Sequence, residues 1–123
     1  MPTVDPIQSL IDQLRSGHAP LSEIRRLLHH PGAIVRVNAI VALISHAKND
    51  RGSLKELIAA ASNAENSVCL MGTISVAHVA VSCLLRVDTE EAVEAAKALL
   101  SNWPEPDRTD LTWYLKSEGL AID

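Results

Sequence analysis

The chain has 123 residues, 47% of them hydrophobic and 21% charged, with a formal net charge of −4. That length suits one folding unit, and that composition excludes a disordered chain. Phe is absent and only Trp103, Trp113 and Tyr114 are aromatic, which disfavours an all-β domain and a base-stacking nucleic-acid surface.

Asp5-Pro6 opens the first expected helix. Asp5 is placed to cap, Pro6 suits the first helical position, and Gln8 falls at capping-box spacing. Ile7, Leu10, Ile11 and Leu14 follow at helical spacing, and Gly17 stops the element. A second helix starts at Pro20, carries Leu21, Ile24, Leu27 and Leu28 on one face, and ends at Pro31-Gly32. The third is expected from about Ala33 to Lys48, with Asn49-Asp50-Arg51-Gly52 as the next break. Ser53 is the expected cap of a fourth helix bearing Leu54, Leu57, Ile58 and Ala61. After a turn over residues 63–67 comes a long fifth helix to about Arg86, then a sixth capped by Asp88 or Thr89 with Val93, Ala96, Leu99 and Leu100 inward. Residues 103–106 form a stiff break. Asp107 or Thr109 caps a seventh helix, which Gly119 ends. No segment alternates strictly between hairpin turns, so no strand is expected.

Residues 67–85 hold no Asp, Glu, Lys or Arg. Ser67, Gly72, Thr73, Ser75, His78 and Ser82 interrupt the run, so a central helix covered by its neighbours explains it better than a membrane span. Cys69 and Cys83 both fall on that expected helix, too far apart to bridge, and read as small buried hydrophobes. Met1–Asp5 shows no basic start followed by an apolar run, so a reducing, cytoplasmic location is expected.

A shift of 33 residues carries Leu21, Ile24, Leu27 and Leu28 onto Leu54, Leu57, Ala60 and Ala61. The same shift carries Val35, Ala39, Ala42 and Leu43 onto Val68, Gly72, Ser75 and Val76. The small residues at the middle positions let paired helices approach closely. Val93, Ala96, Leu99 and Leu100, with Arg108, Leu111 and Leu115, form a third copy.

The stretch Leu27-Leu28-His29-His30-Pro31-Gly32-Ala33-Ile34-Val35-Arg36-Val37-Asn38-Ala39-Ile40-Val41-Ala42-Leu43 resembles a HEAT repeat, whose pattern is a Leu-Leu end, a Pro turn and Val-Arg-x-x-Ala-x-x-Ala-Leu. The resemblance covers residues 21–48, 54–80 and 90–116. It implies an all-α fold over residues 1–123, an α-solenoid of about seven short antiparallel helices. Three HEAT-like pairs would follow one N-terminal capping helix. HEAT proteins often place an Asp before the turn to bond an Arg of the neighbouring repeat. Here His30 and Asn63 stand at that place and Cys69 replaces the second Arg, so no continuous ladder is expected.

No residue pattern marks chemistry. His29-His30 lack further ligands for zinc and are expected to satisfy helix-end carbonyls. His78 lies among Val and Ala and reads as a core histidine. Scattered glycines make no phosphate loop. No catalytic residue, metal or cofactor is therefore expected.

The family resemblance implies a protein partner held on an extended helical face. Residues 1–60 balance to +2 and residues 61–123 to −6, so the expected partner is basic, and an inhibitor or immunity-type role fits a short acidic chain. Glu90, Glu91, Glu94, Glu105, Asp107, Asp110 and Trp113 are the candidate partner-binding residues. Glu90, Glu91 and Glu94 also suit a helix start, and Trp103, Trp113 and Tyr114 also suit a plug closing the stack. Arg25, Arg26, Arg36, Lys48, Arg51 and Lys55 keep nucleic-acid binding as the alternative, disfavoured by the overall acidity. A lyase-type HEAT-like subunit is a second alternative, on fold analogy alone.

Overall fold

The computed structural model describes residues 5–120. The expectation placed on Met1–Val4 lies outside them. Helices dominate the described residues: α1 (Pro6–Arg15), α2 (Leu21–Leu27), α3 (Ala33–Ala42), α4 (Ile44–Ala47), α5 (Arg51–Ser62), α6 (Val76–Val87), α7 (Glu90–Ser101) and α8 (Asp107–Ser117). The described residues are all-α apart from one small hairpin, β1 (Cys69–Met71) and β2 (Ile74–Ser75), preceded by a 3-10 turn over Ala64–Ser67. No described helix is long and apolar enough to cross a membrane.

Local chemistry sets most boundaries. The Ile7 N–H donates to Asp5 Oδ1 at 3.0 Å, as the sequence leads one to expect. Gln8 does not close a capping box; its amide donates to Asp12 one turn on. The helix expected over Ala33–Lys48 breaks at Leu43, whose N–H is shared between the carbonyls of Ala39 and Ile40. Asp50, not Ser53, caps α5: Oδ2 accepts from the Ser53 N–H at 3.3 Å and from Ser53 Oγ at 2.6 Å. That bond to Ser53 holds the Asp50 carboxyl below its ordinary pKa. The Ala92 N–H donates to Thr89 Oγ1, while Asp88 ends α6 in a left-handed conformation. α8 starts at Asp107 without a side-chain cap; Asp107 points elsewhere, and Thr109 Oγ1 donates to Glu105 Oε2 at 2.6 Å.

The expected long fifth helix is the main correction. Its first third is the hairpin, antiparallel with Cys69 opposite Ser75 and Met71 opposite Ile74. Gly72 turns the chain at φ +55, where a Cβ would meet nothing within 4 Å. Gly72 is therefore a turn residue, not the small residue of a helix contact. α6 cannot extend upstream because Ser75 and His78 close a reciprocal capping box: each side chain accepts the other's backbone N–H at 3.2 Å. Cys69 lies exposed on the hairpin rather than in the core, whereas Cys83 is buried and its thiol is pushed up to about 12 by desolvation.

α6 is the centre of the packing. It contacts α3, α4, α5, α7 and α8, and Val76, Ala80, Val81 and Leu84 are fully buried along it. α1 and α2 pack on α3. One apolar cluster runs from Ile11 in α1 to Leu115 in α8. Ala39 is 0% exposed, as expected of a close helix contact, but Ala42 is only half-buried. In α7 the buried residues are Ala92 and Ala96; Val93, Leu99 and Leu100 are half-buried, because the helix turns its alanines rather than its leucines to the centre.

Candidate functional site: the α7–α8 corner

The seven candidate residues fall into two groups. Glu90, Glu91 and Glu94 are exposed on the first turns of α7, where the helix dipole favours acids. Glu91 lies 3.8 Å from Arg51, and Glu94 lies 3.9 Å from Lys97. Glu105, Asp107, Asp110 and Trp113 sit together past the other end of α7, in the turn before α8 and on its first two turns. The 12 residues of α7 separate the groups by roughly 18 Å.

α8 buries Leu111 and Leu115 and leaves Trp113 66% exposed. The three aromatic residues therefore do not act as one plug. Trp103 and Tyr114 pack against the core, and burial raises the Tyr114 phenol above its ordinary pKa. Trp113 faces outward with Asp110 one turn behind it and Lys116 one turn ahead.

Asp107 joins the corner to the core. Its Oδ2 accepts from Trp103 Nε1 at 2.7 Å, and its Oδ1 lies 3.0 Å from Nε2 of His78. Trp103 and His78 are also ring neighbours, 5.8 Å apart between centroids. His78 is fully buried, and its Nδ1 accepts the Ser75 N–H, so the neutral ring carries its proton on Nε2. That nitrogen points at Asp107 but off the line a hydrogen bond requires, which leaves it without a hydrogen-bond partner. Asp107 and Trp103 line a cleft of about 410 Å³ together with Ser62, Asn63 and Ser67.

A Ser75–His78–Asp107 set suggests a nucleophile, a base and an orienting acid. Its connectivity is different. Ser75 Oγ accepts from the His78 backbone, and the imidazole holds the Ser75 backbone rather than the hydroxyl. The bond by which a base would activate a nucleophile is missing, and the cluster fixes the start of α6 instead. Among the described residues, no three His, Cys, Asp or Glu side chains gather as metal ligands.

The basic residues of the first half are largely engaged. Arg25 pairs with Asp50 and Glu56, Arg26 with Glu23, and Arg51 with Glu91. Arg36 is buried. Its Nε donates to Asn66 Oδ1 at 2.9 Å, its Nη1 to the carbonyls of His30 and Pro31, and its Nη2 to the carbonyl of Glu65. His30 contributes its carbonyl to Arg36 and accepts the Gly32 N–H on Nδ1; its ring satisfies an amide, not the helix-end carbonyls expected of it. Sequence reasoning missed Asn66 and the Trp103–Asp107–His78 cluster. The only signal for the cluster was an Asp four residues after a Trp, which is too common to weigh.

Comparison with known proteins returns no match: no family model fits the chain, and no curated protein or solved structure is significantly similar to it.

Proposed function

We propose that this chain is a HEAT-like helical-repeat module that holds a protein partner at the α7–α8 corner. The repeat reading is supported by equivalent buried positions. The shift of 33 that relates α2 to α5 becomes 41 for their partner helices: Val35, Ala39, Ile40 and Leu43 of the first unit fall on Val76, Ala80, Val81 and Leu84. The eight extra residues are the hairpin and its approach. A shift of 72 then carries Ala39 and Leu43 onto Leu111 and Leu115, buried on α8. Arg36 reaching Asn66 and Glu65 is a link of the kind an Asp makes in HEAT proteins, although Asn66 lies three residues past Asn63, which stands at the place of that Asp.

The observation that carries the binding reading is Trp113. A Trp two-thirds exposed on α8, whose inward face buries Leu111 and Leu115, turns an apolar ring to solvent, and Trp is favoured at the centre of protein interfaces. Asp110 one turn before it, and Glu105 in the turn that leads into α8, suit a basic partner, as an inhibitor-type protein masking a basic surface would require. Neutralised arginines in the first half weigh against a phosphate backbone as the partner.

The test is capture from the native host by the whole chain and by Trp113→Ala, read by mass spectrometry and then by binding kinetics. One protein enriched by the wild type should be lost from the variant, with an affinity drop of roughly thirtyfold or more, the size of a hot-spot residue. Equal capture by both chains, or enrichment of no protein, overturns the proposal.

A further inference from the structure

A second concavity lies at the other end of the chain, in the half that is basic. It occupies about 510 Å³ between the end of α1, the turn into α2, and the bend from α3 to α4. Leu14, Ile24, Val41 and Ile44 give it apolar walls, and Val41 is 48% exposed there. Arg15 and Lys48 also line it, and no Asp or Glu does. These two cations differ from Arg25, Arg26, Arg36, Arg51, Arg86 and Lys97, each of which has a carboxylate within 4.0 Å; Arg15 and Lys48 have none among the described residues. Arg15 is nevertheless held in place. Its Nε donates to Asn38 Oδ1 at 2.9 Å, and Asn38 Nδ2 donates in turn to the Ile34 carbonyl at 2.8 Å. The fork of Arg15 is thereby positioned while its terminal nitrogens stay available, the arrangement that suits bidentate recognition of a carboxylate.

We infer that this pocket binds a small anionic amphiphile, an apolar chain ended by a carboxylate. The apolar walls take the chain, and Arg15 and Lys48 take the head. The volume is that of a site for one small organic molecule. A docked partner helix would instead need a long groove presenting anchors over several turns, whereas these walls form a half-open hollow at the junction of α1, α3 and α4. This site is separate from the α7–α8 corner and does not depend on the partner proposed there.

The probe is decanoate, titrated into the whole chain below its micelle concentration, with decanol as the uncharged control. Binding is read by calorimetry and by backbone amide shifts. The expected result is saturable shifts at Asn38 and Ser45, with decanol weaker by about tenfold or more, since a bond to a charged group contributes at least that much. Arg15→Glu combined with Lys48→Glu should weaken decanoate by the same factor while the helical circular dichroism is unchanged, because both residues are exposed. Ala42→Trp, which fills the hollow from a half-buried wall position, should abolish binding. Absence of saturable shifts, equal affinity for decanol, or unweakened binding by the double charge variant overturns the inference.

Discussion

Arg36 ties the α2–α3 turn to the 3-10 turn that follows α5. It is 3% exposed and satisfies three carbonyls and one side-chain amide oxygen across them. Glu65 at 3.6 Å is half-exposed, so its charge adds little. Removing the guanidinium strands several acceptors, and Arg36→Ala should cost about 3 kcal/mol by chemical denaturation. Arg36→Lys should recover little of this, since one ammonium cannot span acceptors on both turns. Arg26→Ala, which breaks an exposed pair with Glu23, should cost far less. Equal costs for Arg36 and Arg26 would sink the account. The sequence pointed to Arg36 through its place in the stretch that resembles a HEAT repeat, but not to its acceptor, because Asn66 lies 30 residues away on a turn without a fixed register. Cys83 gives a pH test. Its folded pKa of about 12 exceeds the ordinary 9.0, so its contribution is complete below pH 9 and is lost as pH rises toward 12. Tyr114 is raised too and acts in the same direction. The denaturation midpoint should therefore fall between neutral pH and about pH 10, and fall less in Cys83→Ala.

The elements differ in how plainly their sequences declare them. α1, α2 and α7 start where Asp5, Pro20 and Thr89 stand, because a cap or a proline fixes a boundary locally. The break at Leu43 has no such marker; Leu43 is fully buried, and packing of α4 on α5 and α6 accompanies the bend. The hairpin was hidden for a different reason. Residues 67–85 lack charge and proline throughout, so periodicity alone cannot separate an extended stretch from the buried helix after it. The separating signals are Gly72 and the Ser75 cap, and both also fit a small-residue helix face. The two readings predict different mutational patterns. If Gly72 faced a packed helix, Asn and Val would be resisted alike for their size. At φ +55 with open space around it, only the backbone conformation matters, and Asn enters that region readily while a β-branched residue does not. Gly72→Asn should therefore stay near wild-type stability, and Gly72→Val should lose roughly 1–2 kcal/mol. Equal losses would restore the helix-face reading. Ala39 keeps the packing role expected of it, and Ala39→Leu should cost roughly 1–3 kcal/mol by overpacking a fully buried contact.

At the scale of the whole molecule, the helical class and the order of the helices were legible because hydrophobic spacing and caps repeat along the chain. The acidic candidate surface was legible only as composition. Charge counts cannot reveal that α7 sets its own first turns and the start of α8 roughly 18 Å apart, so one expected surface became two. The two groups also differ in what they can offer a partner. Glu90, Glu91 and Glu94 sit at a helix start, where their charge is already favoured, and two of them face cations. Asp110 lies one turn before the exposed Trp113 on α8, and Glu105 stands in the turn that leads into the helix. Asp107 belongs to that corner but is committed to Trp103 and lies against His78, so reversing it would test folding rather than binding. The discriminating comparison is therefore Glu105→Lys with Asp110→Lys against Glu90→Lys, Glu91→Lys and Glu94→Lys, measured with the partner that Trp113 identifies. Charges beside the contact steer encounter, and their reversal acts on the association rate and its salt dependence. At physiological salt the Debye length is about 8 Å, so acids at the far end of α7 are largely screened from a contact centred on Trp113. The two-residue reversal should slow association several-fold and flatten its salt dependence, and the three-residue reversal should change it little although it shifts more charge. A larger effect from the three-residue reversal would move the contact to the first turns of α7 and remove Trp113 from its centre.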